Sequence, residues 1–290
     1  MALKIITADE RAAEARGVKG LIVGPSGVGK TSLLRTVDPA STLFVDVEAG
    51  DLAVADVPVD TLRPKTWPEL RDLACWLGGP NPARGPSQTY SRGHYDHVVE
   101  TYGDPSALDK YDLYFIDSAT VASRTCLAWA QTQPEAISEK TGKPDLRGAY
   151  GLLGREFVEW VTHLQHVRSK SVILLAILDQ VKDDFGRLNF EPQVAGQAIG
   201  RQLPGIIDQV ITLNLIDFGD GAPQRAFVTK FENEWGYPGK DRSGRLEPLE
   251  EPHLGKLIAK ASDQARQRSA ITTTIRPTAD ATPAYQPNED

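Results

Sequence analysis

Short apolar runs alternate along this chain with longer stretches whose apolar residues recur at helical spacing. The runs have the length and β-branched content of buried strands. They fall at residues 20–23, 42–47, 113–116, 172–177 and 210–213. Helical spacing is clearest at 67–77 and 147–168. Strands that alternate with helices predict the α/β class, with a mostly parallel central sheet flanked by helices.

The same alternation predicts one domain over residues 1–264, which is within the size of a single large α/β unit. An insertion is expected at about 61–110, where the glycine- and proline-rich stretch 78–87 marks a loop. Beyond residue 264 the chain turns to threonine, proline, glutamine and acidic residues. Because this composition buries little apolar surface, we predict that the tail 265–290 is disordered.

A glycine-rich segment directly follows the first predicted strand. Residues 24–31 match the phosphate-loop pattern G-x-x-x-x-G-K-S/T, and a helical stretch follows them. The glycines let backbone N–H groups face phosphate oxygens, and Lys30 adds a positive charge near the β- and γ-phosphates. The residues expected to hold ATP are Gly24, Pro25, Ser26, Gly27, Val28, Gly29, Lys30, Thr31 and Ser32.

An acid ends the strand predicted at 113–116. Asp117 would lie beside the phosphate loop, because the carboxyl ends of parallel strands meet at one edge of a sheet. There it would complete, through water, the shell of a Mg²⁺ ion that the Thr31 hydroxyl binds directly. The alternative is an aspartate that caps the next helix. We therefore expect ATP and Mg²⁺ as the bound groups.

Composition limits the partners. The formal net charge is −7, so contact with nucleic acid would need a local basic patch. No apolar run reaches the roughly 18 residues of a membrane span, and the first residues lack the apolar stretch of a signal peptide. We therefore expect a cytoplasmic protein without a membrane partner. Two cysteines, Cys75 and Cys126, indicate neither a disulfide framework nor a zinc site.

Residues 44–48 read Phe-Val-Asp-Val-Glu and end the second predicted strand, so Glu48 emerges at the same edge and could orient and deprotonate water. This run resembles the strand of RecA-like ATPases that carries the catalytic glutamate. The resemblance also implies that Asp117 and Ser118 end the metal-binding strand and that Gln180 senses the γ-phosphate. The alternative for Glu48 is a solvated loop acid.

Residues 240–244 read Lys-Asp-Arg-Ser-Gly and are similar to the K-N-R-F-G motif of RadA-type relatives, with Asp for Asn and Ser for Phe. The resemblance implies that Lys240 and Arg242 reach the triphosphate of a neighbouring subunit, in a ring or a filament of identical chains. Such a trans-acting cation neutralises charge as the phosphate bond breaks. The alternative is an exposed turn without a catalytic role.

Over about 19–260 the pattern resembles phage ATPases with a bare RecA core, the RecA-like single-strand annealing proteins. This implies ATP-controlled binding of single-stranded DNA in recombination or annealing, a phage or prophage origin and the host cytoplasm. A single-strand-binding protein is a further candidate partner.

Two loops, at about 131–147 and 181–200, would contact the DNA through cations and stacking aromatics. Their candidate cations are Lys140, Lys143, Arg147, Lys182 and Arg187. Acids at 183, 184 and 191 dilute the charge of the second loop, and a solvated loop without a DNA role is the alternative.

Two other functions share these motifs. A small-molecule phosphotransferase would use the loop and Asp117 without a neighbouring subunit. An ATP-gated scaffold or loader would bind a replication or packaging protein in place of DNA.

Overall fold

The computed structural model of this chain describes residues 5–14, 16–138, 140–182, 186, 188–219 and 221–262. The chain divides into two units. One comprises residues 1–12 and 263–290, and the short helix α1 (Ala8–Ala13) begins within it. The other spans 13–262 and contains the sheet. The tail predicted at 265–290 lies outside the described residues, and the single domain over 1–264 stays a prediction.

The described residues of the larger unit form one sheet of ten strands. These are β1 (Lys19–Gly24), β2 (Thr42–Asp46), β3 (Asp60–Leu62), β4 (Leu113–Asp117), β5 (Ser171–Lys182), β6 (Leu188–Pro192), β7 (Gln209–Ile216), β8 (Gln224–Val228), β9 (Lys240–Asp241) and β10 (Leu249–Glu250). The helices that flank it are α2 (Trp67–Gly78), α3 (Arg92–Tyr102), α4 (Ala119–Ala130), α5 (Leu146–Gln165), α6 (Gln197–Ile206) and α7 (Leu254–Ser262). Short 3₁₀ helices include Thr31–Thr36 and Asp51–Val54.

The strand order is β10-β8-β7-β1-β5-β4-β2-β3, with β6 paired to β5 and β9 paired to β7. The six strands from β7 to β3 in this order pair in parallel, and β6, β8 and β9 pair antiparallel to their neighbours. The structure therefore confirms the predicted α/β class with a mostly parallel central sheet.

Apolar side chains cover both faces of the central strands, as expected for parallel strands buried between helices. One face packs against α2, α4, α5 and α6, where Trp67, Phe157 and Trp160 form an aromatic cluster. The other face packs against the 3₁₀ helix Thr31–Thr36 and α7 through Leu33, Leu34 and Leu257. The phosphate-loop segment leads into this second layer.

All of the strands and helices that the pattern predicted are present, with bounds shifted at their ends. The largest difference is β5, which continues to Lys182 because its last residues pair with β6. The predicted insertion contains the edge strand β3 and the helices α2 and α3, and a Thr66–Glu69 capping box begins α2. None of the described helices is long and apolar enough to cross a bilayer.

Candidate active site

The phosphate loop leaves the C-terminal end of β1 and turns back above the sheet. Gly27 and Gly29 adopt φ values of +79° and +99°, which side chains other than glycine rarely adopt. Within the described residues, the N–H groups of Gly27, Gly29 and Lys30 have no protein acceptor. Several unsatisfied donors that converge next to a helix start form an anion-binding site.

The Lys30 ammonium lies inside this loop. Its Nζ donates to the carbonyl oxygens of Gly24 at 2.9 Å and of Pro25 at 3.0 Å. Burial lowers the pKa of Lys30, and the nearby carboxylates of Asp117 and Glu48 oppose this effect. Oxygens of a bound phosphate can replace the two carbonyls as acceptors, so the lysine is held close to where a triphosphate would bind.

Thr31 and Asp117 meet across the sheet edge. The Thr31 hydroxyl donates to Asp117 Oδ2 at 2.5 Å, and Asp117 is buried at the end of β4. The pKa of Asp117 is raised from 3.8 to about 6, mainly by burial; the Thr31 hydrogen bond and Lys30 oppose this rise, and the carboxylates of Glu48 and Asp46 add to it. A carboxylate that is costly to ionise in this environment gains from a nearby cation.

Ser118, rather than Asp117, caps the following helix. Its Oγ accepts from Val121 N at 3.3 Å at the start of α4, so the capping alternative for Asp117 is wrong. The same hydroxyl donates a short hydrogen bond to Glu48 Oε1. Glu48 is solvent-exposed, but this bond fixes its carboxylate next to the strand that carries Asp117. The backbone supports the arrangement, because Glu48 N donates to Asp117 O at 3.2 Å.

No sequence motif assigns a role to Asp46. This residue pairs with Asp117 in the register of β2 and β4. Its side chain is buried; Oδ1 accepts from Gly50 N at 3.1 Å, whereas Oδ2 has no hydrogen-bond partner among the described residues. Arg63 Nε lies 3.6 Å from that oxygen, and its guanidinium also pairs with Asp51. Three carboxylates therefore lie at this edge, with Arg63 beside one of them.

Gln180 lies beyond the end of the loop strand. Gly24 pairs with Ile177 on β5, and Gln180 is further along in the part of β5 that pairs with β6. Its side chain is exposed and makes no hydrogen bond within the described part of the chain. The structure places it at the correct edge of the sheet, and its role as a γ-phosphate sensor stays a prediction.

Lys240 and Arg242 lie at the opposite edge. Lys240 pairs with Val210 at the start of β7, whereas the phosphate loop leaves the other end of the adjacent β1. Lys240 Nζ donates to the carbonyls of Pro204 at 2.6 Å and Ile207 at 2.7 Å, near the end of α6. Arg242 donates to Asp208 Oδ1 at 2.6 Å. The motif therefore has a structural role within its own subunit, which the sequence did not indicate.

No contact among the described residues joins the candidate DNA-binding cations into one patch. Lys140 and Lys143 belong to a tight turn closed by the Ile137–Pro144 bridge, Arg147 lies in the first turn of α5, and Lys182 ends β5. Their side chains make no hydrogen bond or ion pair within the described residues. Arg187 lies outside those residues, and the aromatic ring of Phe190 packs edge-on against Tyr237 at 4.9 Å.

Comparison with known proteins gives a family and a set of distant structures. A family model described as AAA domain matches residues 16–243, which include every strand from β1 to β9. No curated protein matches the chain.

Three solved structures are similar. An ATPase from the type III secretion system of pathogenic bacteria has 16% identity and a TM-score of 0.38 over 69% of this chain and 51% of that chain. The RadB recombinase has 16% identity and a TM-score of 0.34 over 74% and 81%. The flagellar accessory protein FlaH from Methanocaldococcus jannaschii has 13% identity and a TM-score of 0.36 over 83% and 88%. This chain thus spans about half the length of the secretion ATPase.

Proposed function

The chain belongs to the AAA domain family of ATPases, and we propose that it is a RecA-like enzyme that uses Mg²⁺-dependent ATP hydrolysis to control binding to single-stranded DNA. One observation carries the catalytic part of this proposal. Ser118, which directly follows Asp117, holds Glu48 by a hydrogen bond, so that the candidate base, two residues beyond the end of β2, lies next to the candidate metal acid at the end of the adjacent β4.

The donor set at this edge fits Mg²⁺, which prefers oxygen ligands and keeps several waters. The Thr31 hydroxyl would bind the ion directly, and Asp117, 2.5 Å away, would bind it through water. When bound, the ion would supply positive charge next to the β- and γ-phosphates. The loop N–H groups and Lys30 hold the same phosphates, and the Glu48 carboxylate accepts the proton of the attacking water.

Three lysines support single-stranded DNA as the ligand, because their side chains make no hydrogen bond or ion pair within the described residues. They are Lys182 at the end of β5 and Lys140 and Lys143 in the turn before α5. β5 extends beyond the residue that pairs with Gly24, so Lys182 projects past the nucleotide edge on an element joined directly to the sheet. A role in phage recombination or annealing is part of the same proposal.

We expect single-stranded DNA to stimulate ATP turnover and Lys182→Glu to reduce this effect. DNA affinity should fall about fivefold, and the slope of log affinity against log salt should decrease by roughly 0.7 because one phosphate contact is lost. ATP turnover without DNA should not change. Fluorescence anisotropy of a labelled oligonucleotide at several salt concentrations measures the affinity and the slope.

Lys170→Glu is the control, because it makes the same charge change next to the other end of β5. It also removes the hydrogen bond that Lys170 Nζ donates to Asp109 O at 3.0 Å, so its unfolding midpoint is measured as well. Equal effects of both variants would indicate only a general change in charge. No binding of DNA by the wild-type protein at low salt, together with nucleotide-dependent assembly, would favour a loader for another protein. Turnover independent of both DNA and protein concentration would favour a phosphotransferase.

The proposal includes assembly of identical chains. Since Lys240 and Arg242 lie at the edge opposite the phosphate loop, they could contact a triphosphate only in another subunit. That contact would require them to leave their present partners, which are Asp208 and the carbonyls near the end of α6.

We expect Lys240→Met to lower the free energy of unfolding by about 1–3 kcal/mol, because two partly buried carbonyls lose their donor. Urea denaturation measures this change. Lys110→Met removes an exposed ion pair with Asp60 and should leave the urea midpoint close to that of the wild-type protein. Unchanged stability would contradict the structural role. If mixing the Lys240→Met variant with a Lys30→Ala variant restored turnover that neither has alone, the cation would act in trans.

A further inference from the structure

An arginine that no motif identified approaches the phosphate loop from the hairpin of β7 and β8. Arg225 pairs with Leu215 in the antiparallel register of these strands. Phe227, two residues further along β8, is buried in the same cluster as Leu33 and Leu34 of the 3₁₀ helix that follows the loop. Because side chains two residues apart share a face of a strand, Arg225 lies on the face of the sheet that carries the phosphate loop.

The guanidinium contacts the loop at one glycine. A Cβ atom built on Gly29 would lie 2.4 Å from Arg225 Nη1 and 3.6 Å from its Cζ, so the guanidinium packs directly against the backbone of this glycine. Arg225 is exposed and makes no hydrogen bond or ion pair with any residue that the structure describes. A cation with several free donors therefore lies against a loop whose N–H groups also lack acceptors.

The balance of charge at this edge favours a further cation. Lys30 lies near the carboxylates of Asp117 and Glu48, and Asp46 adds a third acid. Arg63 already forms ion pairs with Asp46 and Asp51. A bound triphosphate would add further negative charge, of which Lys30 and the proposed Mg²⁺ would balance the part on the β- and γ-phosphates. Arg225 is positioned to share that charge.

We propose that Arg225 binds the α- and β-phosphates of the nucleotide held by its own subunit. The inference rests on the proposed nucleotide site. In a phosphate loop the backbone N–H groups cradle the α- and β-phosphates, whereas the lysine reaches the β- and γ-phosphates. Because Arg225 lies against Gly29, its fork of donors faces the part of the nucleotide that ADP and ATP share. A guanidinium suits phosphate oxygens through paired N–H donors.

The test compares affinities for ADP and ATP. Arg225→Gln should weaken both by the same factor, about 10- to 100-fold, the usual effect of losing a charged hydrogen bond. The KM for ATP should rise by a similar factor, because the α- and β-phosphates are bound before the γ-phosphate is transferred. Arg225→Lys should restore only part of the affinity, since an ammonium cannot form the paired contact. Titration of a fluorescent ADP, with unlabelled ATP as competitor at a protein concentration where the chain is monomeric, measures these values.

Arg155→Gln provides the control, because Arg155 is an exposed arginine on α5 with no hydrogen bond or ion pair within the described chain. It should bind ADP as the wild-type protein does. All variants should keep the wild-type unfolding midpoint.

Two results would overturn the inference. Unchanged affinity of Arg225→Gln for both nucleotides would exclude the contact. A loss confined to ATP, with a fall in turnover, would exclude the α- and β-phosphates. If the wild-type protein does not bind ADP at all, the proposed nucleotide site fails first, so the two failures are distinguishable.

Discussion

Lys30→Ala is expected to abolish ATP turnover and to weaken ATP binding by at least about 100-fold. The ammonium is the one cation inside the described loop, and its present acceptors are the loop carbonyls that phosphate oxygens would replace. Alanine leaves the N–H groups in place but removes the charge that stabilises the transferred phosphoryl group. Steady-state turnover and nucleotide titration measure the two losses.

Lys19 offers a matched control for this variant. It lies at the other end of β1, is buried, and donates to two backbone carbonyls, those of Gly17 at 3.0 Å and Lys170 at 2.7 Å. Lys19→Met should therefore lower stability by about 1–3 kcal/mol and leave nucleotide affinity intact. Lys30→Ala also removes a donor to two carbonyls and should cost a comparable amount of stability, so the loss of nucleotide affinity is the effect that separates the two variants. Wild-type turnover by Lys30→Ala would show that this loop is not the nucleotide site.

The placement of the candidate site at one edge of the sheet could be predicted because its signals are local. The phosphate loop is a contiguous motif, and Asp117 and Glu48 each end an apolar strand. In a parallel sheet the ends of neighbouring strands meet, so two separate runs in the sequence predict one site. The register of β2 and β4 confirms that these strand ends are adjacent.

Other parts of the site depend on pairings that no short sequence run encodes. Arg225 reaches Gly29 because β8 returns along β7, and nothing near residue 225 marks that approach. Lys240 was assigned from a motif, yet its partners on α6 come from the pairing of β9 with β7. The sequence marks Asp46 only as part of the run that ends at Glu48. Its burial is evident only in the folded sheet.

Glu48→Gln is expected to keep ATP affinity within a few-fold and to lower turnover by about 10²–10⁴-fold. The amide fills the same space, and its oxygen can still accept the hydrogen bond that Ser118 donates to the carboxylate. It cannot accept a proton from water, so only the step that needs a base is lost. Nucleotide titration and single-turnover hydrolysis separate binding from chemistry.

Two further variants sharpen the interpretation of Glu48→Gln. Asp51→Asn neutralises a nearby acid that pairs with Arg63 and should hydrolyse ATP normally, which excludes a general effect of charge. Ser118→Ala should reduce turnover less than Glu48→Gln, because the base remains but loses the hydroxyl that fixes it. It should also lose about 1 kcal/mol of stability with the cap of α4.

Turnover of Glu48→Gln within a few-fold of wild type would contradict the role of Glu48 as the base. The base would then be sought at Asp46, the third carboxylate at this edge, which pairs with Asp117 in the register of β2 and β4.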